Sequence, residues 1–589
     1  ANRFETDIRG LEVYRSDDAG ETWRRTHDEP IDSVVFSYGY YFGQLRVSPA
    51  DPERLYALGV PIVMSRDGGQ TWEGINPPDV HVDHHALWID PEYPDRLLLG
   101  NDGGLDVSYD GGETWRKLDD QPVGQFYTVN VDFAEPYNVY GGLQDNGTMK
   151  CSSANDWRER GRCSKINGGD GMYVAIDPRD NETVITGYQF GWYTRLGKGP
   201  RSEVRPRDEL GEPALRYNWN SPVILSPHNP DIVYFGSNRV YRSMDQGDRW
   251  TAISPDLTRS EDRGNVPFAT VTSLSESPLD FGLLWAGTDD GQLWVTETGG
   301  KDWKDVADRL PRDRWVSRVE ASPHARARAY VALNGYRDDD IRAYVYRTDD
   351  LGKRWRDISK GLPAEPVNVI REDPLVPELL YVGTDRGVYV STDGGDSWEA
   401  LDAGLPNVPV HDLVVHPRDR ELVAGTHGRS IWIADVLPLQ EVAEQGRDAT
   451  LRAFYVDPVR PEVTAHYWLA APGAVTVEVA DDQGRVLQRW ETVGAAGLTR
   501  PTWDLRVDES LALAAEEADA AGADDPDQLA NRRYAESVRL GHRLYVLPGD
   551  DTLRVAAGGA TAETELEVKA PEPFKPRHEP PFRVRGRDD

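Results

Sequence analysis

Cysteine is nearly absent from this 589-residue chain: there are two, Cys151 and Cys163, so at most one disulfide is available. They lie on either side of Asn155-Asp156-Trp157; if that segment is a hairpin they face each other and can bond, and otherwise they are two buried thiols. A bond closing so short a loop contributes about 3 kcal/mol on the chain-entropy model, and it favours an oxidising compartment. No stretch approaches the ~20 apolar residues of a membrane-spanning helix, and Ala1 opens no signal peptide. Mature secreted chains, pieces of longer chains and cytoplasmic proteins all share that start. Positive charge is scarce as well: 66 Lys and Arg stand against 100 Asp and Glu, a net 66 − 100 = −34. Such a field repels phosphate backbones and anionic lipid heads, which argues against nucleic acid and membrane surfaces as partners. No nucleophile elbow, H-E-x-x-H or phosphate loop stands at its required place.

What is abundant is aromatic side chain and turn former: 18 Trp, 26 Tyr, 55 Gly and 41 Pro. Together they indicate an ordered protein built of many short strands. Self-comparison finds the cause. Ser65-Arg66-Asp67-Gly68-Gly69-Gln70-Thr71-Trp72 has the form S-x-D-x-G-x-T-W, and the form recurs at 16–23, 108–115 and 391–398. Looser copies stand at 243–250, 296–303 and 348–355, and the spacing asks for worn copies near Trp157 and Trp192. The Asp accepts backbone N–H bonds across a tight turn, Gly takes positive φ, and Trp packs between sheets. This pattern resembles the Asp-box, or BNR repeat, of sialidase-like and sortilin-like propellers, in which the box lies on the face away from ligand. The box acids are therefore read as structural.

Aligning each unit on its box predicts nine inner strands, near 43–48, 85–90, 127–132, 172–177, 221–226, 270–276, 316–321, 367–372 and 411–415. The fold class is all-β: an Asp-box β-propeller region over 1–436, then an Ig-like β-sandwich over 437–570. The sandwich carries a helical or mobile insertion at 508–540, and a Pro-rich extended tail follows at 571–589. Two closures stay open. One is a single ring of nine to ten blades. The other is a tandem of seven-bladed rings, split near 120, with residues before the split ending a truncated first ring.

In a propeller, the loops entering inner strands and the turns between second and third strands share one face. That filter selects His81, Asp83, His84 and His85, then Asn101 and Asp102, then Gln125 and Tyr127, then Gln144, Asp145 and Asn146, and finally Asp170. His81, Asp83 and His85 share one side of an extended strand, a ligand set for a divalent metal such as calcium or zinc; the alternative is a polar plug. No cofactor is required. Asp102, Asp145 and Asp170 are the candidate acid/base carboxyls for glycoside cleavage, against the alternative that they are turn residues. Gln144 and Asn146 suit sugar hydroxyls or peptide amides, Tyr127 and Trp88 suit ring stacking or core packing, and His427 orders the final turn.

HVDHHALWIDP, NDGGLDVSYDGGETW, QFYTVNVD, GGLQDNG, GGDGMYVAIDP and GTHGRSIWIAD together resemble bacterial BNR-repeat, glycosyl-hydrolase-like or sortilin-N-terminal-like proteins. More distant cousins are the xyloglucan-cleaving endoglucanases, tandem seven-bladed propellers with two catalytic Asp residues, whose Asp motifs are not recognisable here. The resemblance implies an extracytoplasmic protein, secreted, periplasmic or on the cell surface. Its partner would be a glycan, bound or hydrolysed, or a peptide captured without chemistry, with a partner chain or further N-terminal segment completing a propeller.

Overall fold

Short strands joined by Gly and Asp turns can pair only with their immediate neighbours, and this governs the first 436 residues. The structure is a computed structural model that describes residues 10–568 apart from 37, 119–120, 155–162, 260–267, 402–403, 446–450, 458–462, 501, 523–532 and 540–541. Contacts divide the chain into two units, 1–436 and 437–589. The first is a succession of antiparallel sheets, four-stranded except for a two-stranded first and a three-stranded last, with strands neighbouring in chain order. One such sheet is Val367–Glu372, Leu380–Thr384, Gly387–Ser391 and Glu399–Ala400. Second strands lie between sheets and read as apolar runs: Leu55–Leu58 and Leu284–Thr288 are buried throughout. The inner strands start and end within two residues of their expected positions.

The repeated turn has one geometry. Ser65 Oγ accepts from Gly69 N at 2.8 Å, while Asp67 Oδ1 accepts from Thr71 N at 2.9 Å and Asp67 Oδ2 from Thr71 Oγ1 at 2.6 Å. The Thr71 hydroxyl, then its backbone N–H, hold the Asp67 carboxyl down to about 2. The Trp ties the turn to the sheet before it: Trp303, Trp355 and Trp398 Nε1 donate to Ile253, Val306 and Ile358 carbonyls at 2.8, 2.9 and 2.7 Å. These acids are fully used, on the edge away from the candidate site. The copy expected near Trp157 falls outside the described residues. The copy expected near Trp192 is not a box: Trp192 begins the third strand, Trp192–Leu196, directly after the turn from Val184–Tyr188. Spacing misled because this unit's outer turn is Gly-rich and carries no Trp.

Seven successive sheets run from Phe126 to Asp435, and the first packs against the last. Val129 N donates to Asp412 Oδ2 at 3.2 Å, Tyr137 Oη to Glu421 Oε2 at 2.6 Å, and His416 Nε2 lies 3.0 Å from Asp132 O. His427 stacks on His411, 4.3 Å between ring centroids, at the same junction. Upstream stand two more four-stranded sheets, Gln44–Gly74 and His84–Leu118, and one two-stranded sheet. Their first strands expose Leu45, Val47 and Trp88.

Cys151 and Cys163 form a disulfide across the strands Gly147–Ser152 and Cys163–Asn167. Because it closes a short loop, the double change Cys151→Ser/Cys163→Ser is expected to lower stability by about 2–3 kcal/mol in denaturant unfolding.

The second unit has two sheets: Leu451–Asp457, Val463–Leu469, Gly497–Thr499 and Thr502–Trp503 in one, Val486–Gly494, Gly473–Ala480, Gly549–Ala557 and Ala560–Val568 in the other. The expected insertion contains the helices Glu509–Gly522 and Arg533–Arg539, whose Ala512, Ala515 and Tyr534 join the buried cluster of Val477, Val479 and Leu553. His542–Leu547, expected as a strand, contributes a single bridge from Tyr545 to Arg506. The tail at 571–589 lies outside the described residues. Among the described residues no helix is long and apolar enough to cross a membrane.

Candidate functional site

Three adjacent sheets bring the candidate acids together. Asp102 sits in the turn between Leu97–Asn101 and Gly104–Ser108, Asp145 in the turn between Asn138–Leu143 and Gly147–Ser152, and Asp170 just before Val174–Ile176. Glycine permits the approach: a Cβ on Gly171 would lie 2.1 Å from Gly147 O, so only a bare backbone lets these two loops interlock. Asp145 adopts φ +60°. Its backbone N–H donates to Asp170 Oδ1 at 3.2 Å, its carbonyl lies 3.0 Å from His81 Nε2, and Asn146 Nδ2 donates to Asp102 O at 2.8 Å.

The electrostatics follow from crowding. Burial, then the Asp145 charge, pushes the Asp102 carboxyl up to about 6, with a hydrogen bond between the two carboxyls adding to the shift. Asp170, 7% exposed, is also pushed up to about 6, again by burial and then by Asp145. Asp83 is raised by burial and by Asp145. Two histidines stand beside the acids: His85 Nε2 lies 3.3 Å from Asp102 Oδ1, and His81 Nδ1 lies 2.9 Å from Val82 O.

The remaining candidates divide. Gln144 Oε1 accepts from Tyr127 Oη at 2.7 Å, and Tyr127 Oη accepts from Trp219 Nε1 at 3.1 Å, so this pair braces the inner face. Asn101 spends its amide on Asp106 and on Gly103 N within its own turn. Gln125 is exposed and pairs with His427 through the backbone. His84 does not reach the site: it is 1% exposed, bonded to Asn76, and held down to about 4 by burial. The strand reverses character there, so His84 points inward while His81 and His85 point out. Among the described residues no group of three or more His, Cys, Asp or Glu is placed to hold a metal ion, the trio His81, Asp83 and His85 included.

Sequence reasoning missed the aromatic walls. On one side Tyr41 and Phe42 pack on the His85 ring, 4.8 and 5.1 Å between centroids, with Tyr40 and Tyr41 exposed. On the other, Tyr188 and Trp192 face each other across a tight turn, rings 12° from parallel and 6.4 Å apart, 39% and 40% exposed. Tyr188 is seated over Gly169, where a Cβ would lie 2.5 Å from the Tyr188 Cβ, and Asp170 N donates to Gln189 Oε1 at 3.3 Å. Arg205 covers one face of Trp192, 4.0 Å from its centroid. The available signal was Tyr188-Gln189-Phe190-Gly191-Trp192 as a Gly turn between second and third strands, obscured by treating Trp192 as part of a box.

No protein-family model matches the chain. Among curated proteins it is 23% identical over 334 residues to the oligoxyloglucan-reducing end-specific xyloglucanase of Emericella nidulans, covering 50% of this chain and 38% of that enzyme. It is 23% identical over 292 residues to a probable enzyme of the same name from Neosartorya fischeri, covering 44% of this chain and 33% of the other. The match thus spans little more than a third of the length of these relatives. Among solved structures the chain partly matches YCF48 bound to a peptide, at 14% identity and TM-score 0.28, covering 67% of this chain and 92% of that one. Others are the GH74 xyloglucanase of Xanthomonas campestris, at 14% and 0.23 over 78% and 87%, and PorZ of Porphyromonas gingivalis, at 12% and 0.41 over 95% and 79%. The chain is an almost entirely β protein of successive small sheets, consistent with a β-propeller, with weak sequence similarity to xyloglucanases.

Proposed function

We propose that this chain recognises a glycan across the face from His81 to Asp170 and hydrolyses it with the carboxyls of Asp102 and Asp170. The observation that carries this reading is the acid cluster lying between two exposed aromatic walls. Aromatic faces pack on the apolar faces of pyranose rings, while the acids between them reach the linking oxygen. Asp102, with its side chain 31% exposed, acts as general acid, and Asp170 is the second carboxyl. Asp145 raises both Asp102 and Asp170 by its charge, so it tunes its neighbours instead. The distant kinship with xyloglucanases makes a β-glucan the first substrate class to test.

The seven sheets from Phe126 to Asp435 form one closed ring in this reading. Residues before it belong to a second, incomplete ring, whose exposed Leu45, Val47 and Trp88 await further blades from a longer chain or a partner. The Cys151–Cys163 bond supports a secreted, periplasmic or cell-surface location.

Calorimetric titration with xyloglucan oligosaccharides and a β-glucan panel tests recognition. Trp192→Ala is expected to weaken binding by about tenfold or more by removing one stacking surface. An affinity unchanged by Trp192→Ala and by Tyr188→Ala would remove that wall from the site.

A further inference from the structure

Where the inner strands of the sheets from Phe126 to Asp435 converge lies a cavity of about 240 Å³. None of Asp102, Asp145, Asp170 or the aromatic walls lines it. Its wall mixes apolar Ile224 and Leu274 with Asn130, Tyr173, Arg318 and Arg371. Tyr173, Ile224 and Asn130 are partly exposed, so the space is reached from solvent.

The charges inside balance, two guanidiniums against two carboxylates, but the hydrogen bonding of Arg318 is incomplete. Arg318 Nη2 donates to Asp412 Oδ1 at 2.8 Å, and Arg371 Nη2 donates to that same oxygen at 3.0 Å. Arg371 has two further acceptors, Glu320 Oε2 at 2.6 Å and Leu413 O at 2.7 Å. The other Asp412 oxygen is taken by Val129 N–H. Arg318 has no second carboxylate. Its guanidinium lies 5.9 Å from the Tyr173 ring, and its Nε, in a residue 6% exposed, has no hydrogen-bond acceptor in the structure. A guanidinium so deeply buried is costly unless its donors are met, and its planar edge matches the two oxygens of a carboxylate.

We propose that this cavity is a binding site for a small organic carboxylate, held by the free edge of Arg318 beside Tyr173 and Asn130. The volume lies below the ~300–1,000 Å³ typical of sites for drug-sized ligands, so the occupant is small. Two guanidiniums already face Asp412 and Glu320, so a monoanion adds one uncompensated charge and a phosphate dianion two, which favours the carboxylate. The site is separate from the acid cluster and stands or falls without the glycan reading.

The test is titration of the whole chain with sodium propionate and sodium glucuronate at constant ionic strength, with glucuronate methyl ester as the uncharged control. Both carboxylates are expected to bind and to raise the unfolding temperature, and the ester to do neither. Arg318→Gln is expected to weaken binding by about tenfold or more. Should that variant fail to fold, crystals of the unaltered protein soaked in bromoacetate are expected to show bromine scattering beside Arg318. The proposal is overturned by ester and acid behaving alike, by unchanged affinity in Arg318→Gln, or by bromine only at other positions. Binding of a peptide C-terminus with no binding of free acids also overturns it.

Discussion

Asp102→Asn is expected to lower glycosidic cleavage by about 10²–10⁴-fold. General acid catalysis needs a carboxyl that still holds its proton at working pH and can release it to the leaving oxygen. An ordinary Asp, near 3.9, has lost that proton well below neutrality. Burial and the Asp145 charge raise Asp102 to about 6, which keeps a useful fraction protonated in mildly acidic solution. Asparagine keeps the volume, and the contact with Asn146 survives because it uses the Asp102 main-chain carbonyl. Asp170→Asn is expected to fall comparably.

The same cause sets the pH dependence. Activity is expected to peak near pH 6: it declines above as Asp102 loses the proton it must donate, and below as Asp170, which works as a carboxylate, takes one up. Asp145→Asn removes the second-largest contribution to both shifts, so the peak is expected to move to lower pH. Stability follows the same sign. Between the unfolded value near 4 and the folded value near 6, the folded protein binds more protons than the unfolded chain. These two acids therefore stabilise the fold at low pH and lose that contribution as pH rises through 6. Asp67, held at about 2, acts oppositely, and its contribution is lost as pH falls below the unfolded value. Rate profiles between about pH 4 and 8 check the first, and denaturant unfolding from about pH 2 to 8 checks the second, a range that brackets the shifted and ordinary values.

Asp412→Ala is expected to cost about 3–5 kcal/mol, the range for breaking a buried ion pair from one side. Asp412 is 2% exposed and serves four donors: Val129 N–H from the first sheet of the seven, Leu413 N–H, Arg318 and Arg371. Its loss leaves two guanidiniums facing each other and unfastens the first sheet from the last. Denaturant unfolding followed by Trp fluorescence measures it; a cost under about 1 kcal/mol would show the junction held by apolar packing alone.

The box turns were legible because every atom of the motif bonds locally. Ser65, Asp67, Gly69, Thr71 and Trp72 satisfy one another within eight residues, so the pattern survives in sequence and fixes strand order on either side. The convergence of Asp102, Asp145 and Asp170 on one face was legible from topology, since Asp102 and Asp145 stand in turns between second and third strands and Asp170 in the loop entering an inner strand, two positions that share a face. The aromatic walls were not. Tyr188 and Trp192 matter through exposure, and a Trp in a repeat whose Trp residues are otherwise packed between sheets reads as one more core residue. His84 failed because it begins the strand His84–Ile89, whose alternation sends it to the face opposite His85 and into the interior. The Asp412 junction joins residues 283 positions apart, a pairing no local pattern announces.

The most direct test is product analysis on xyloglucan oligosaccharides and a β-glucan panel, with the unaltered chain beside Asp102→Asn and Asp170→Asn and with binding followed by calorimetry. The account predicts sugar release by the unaltered chain, and variants that bind as tightly yet release nothing. Release that persists in both variants, or neither binding nor release of any glucan by the unaltered chain, would contradict it.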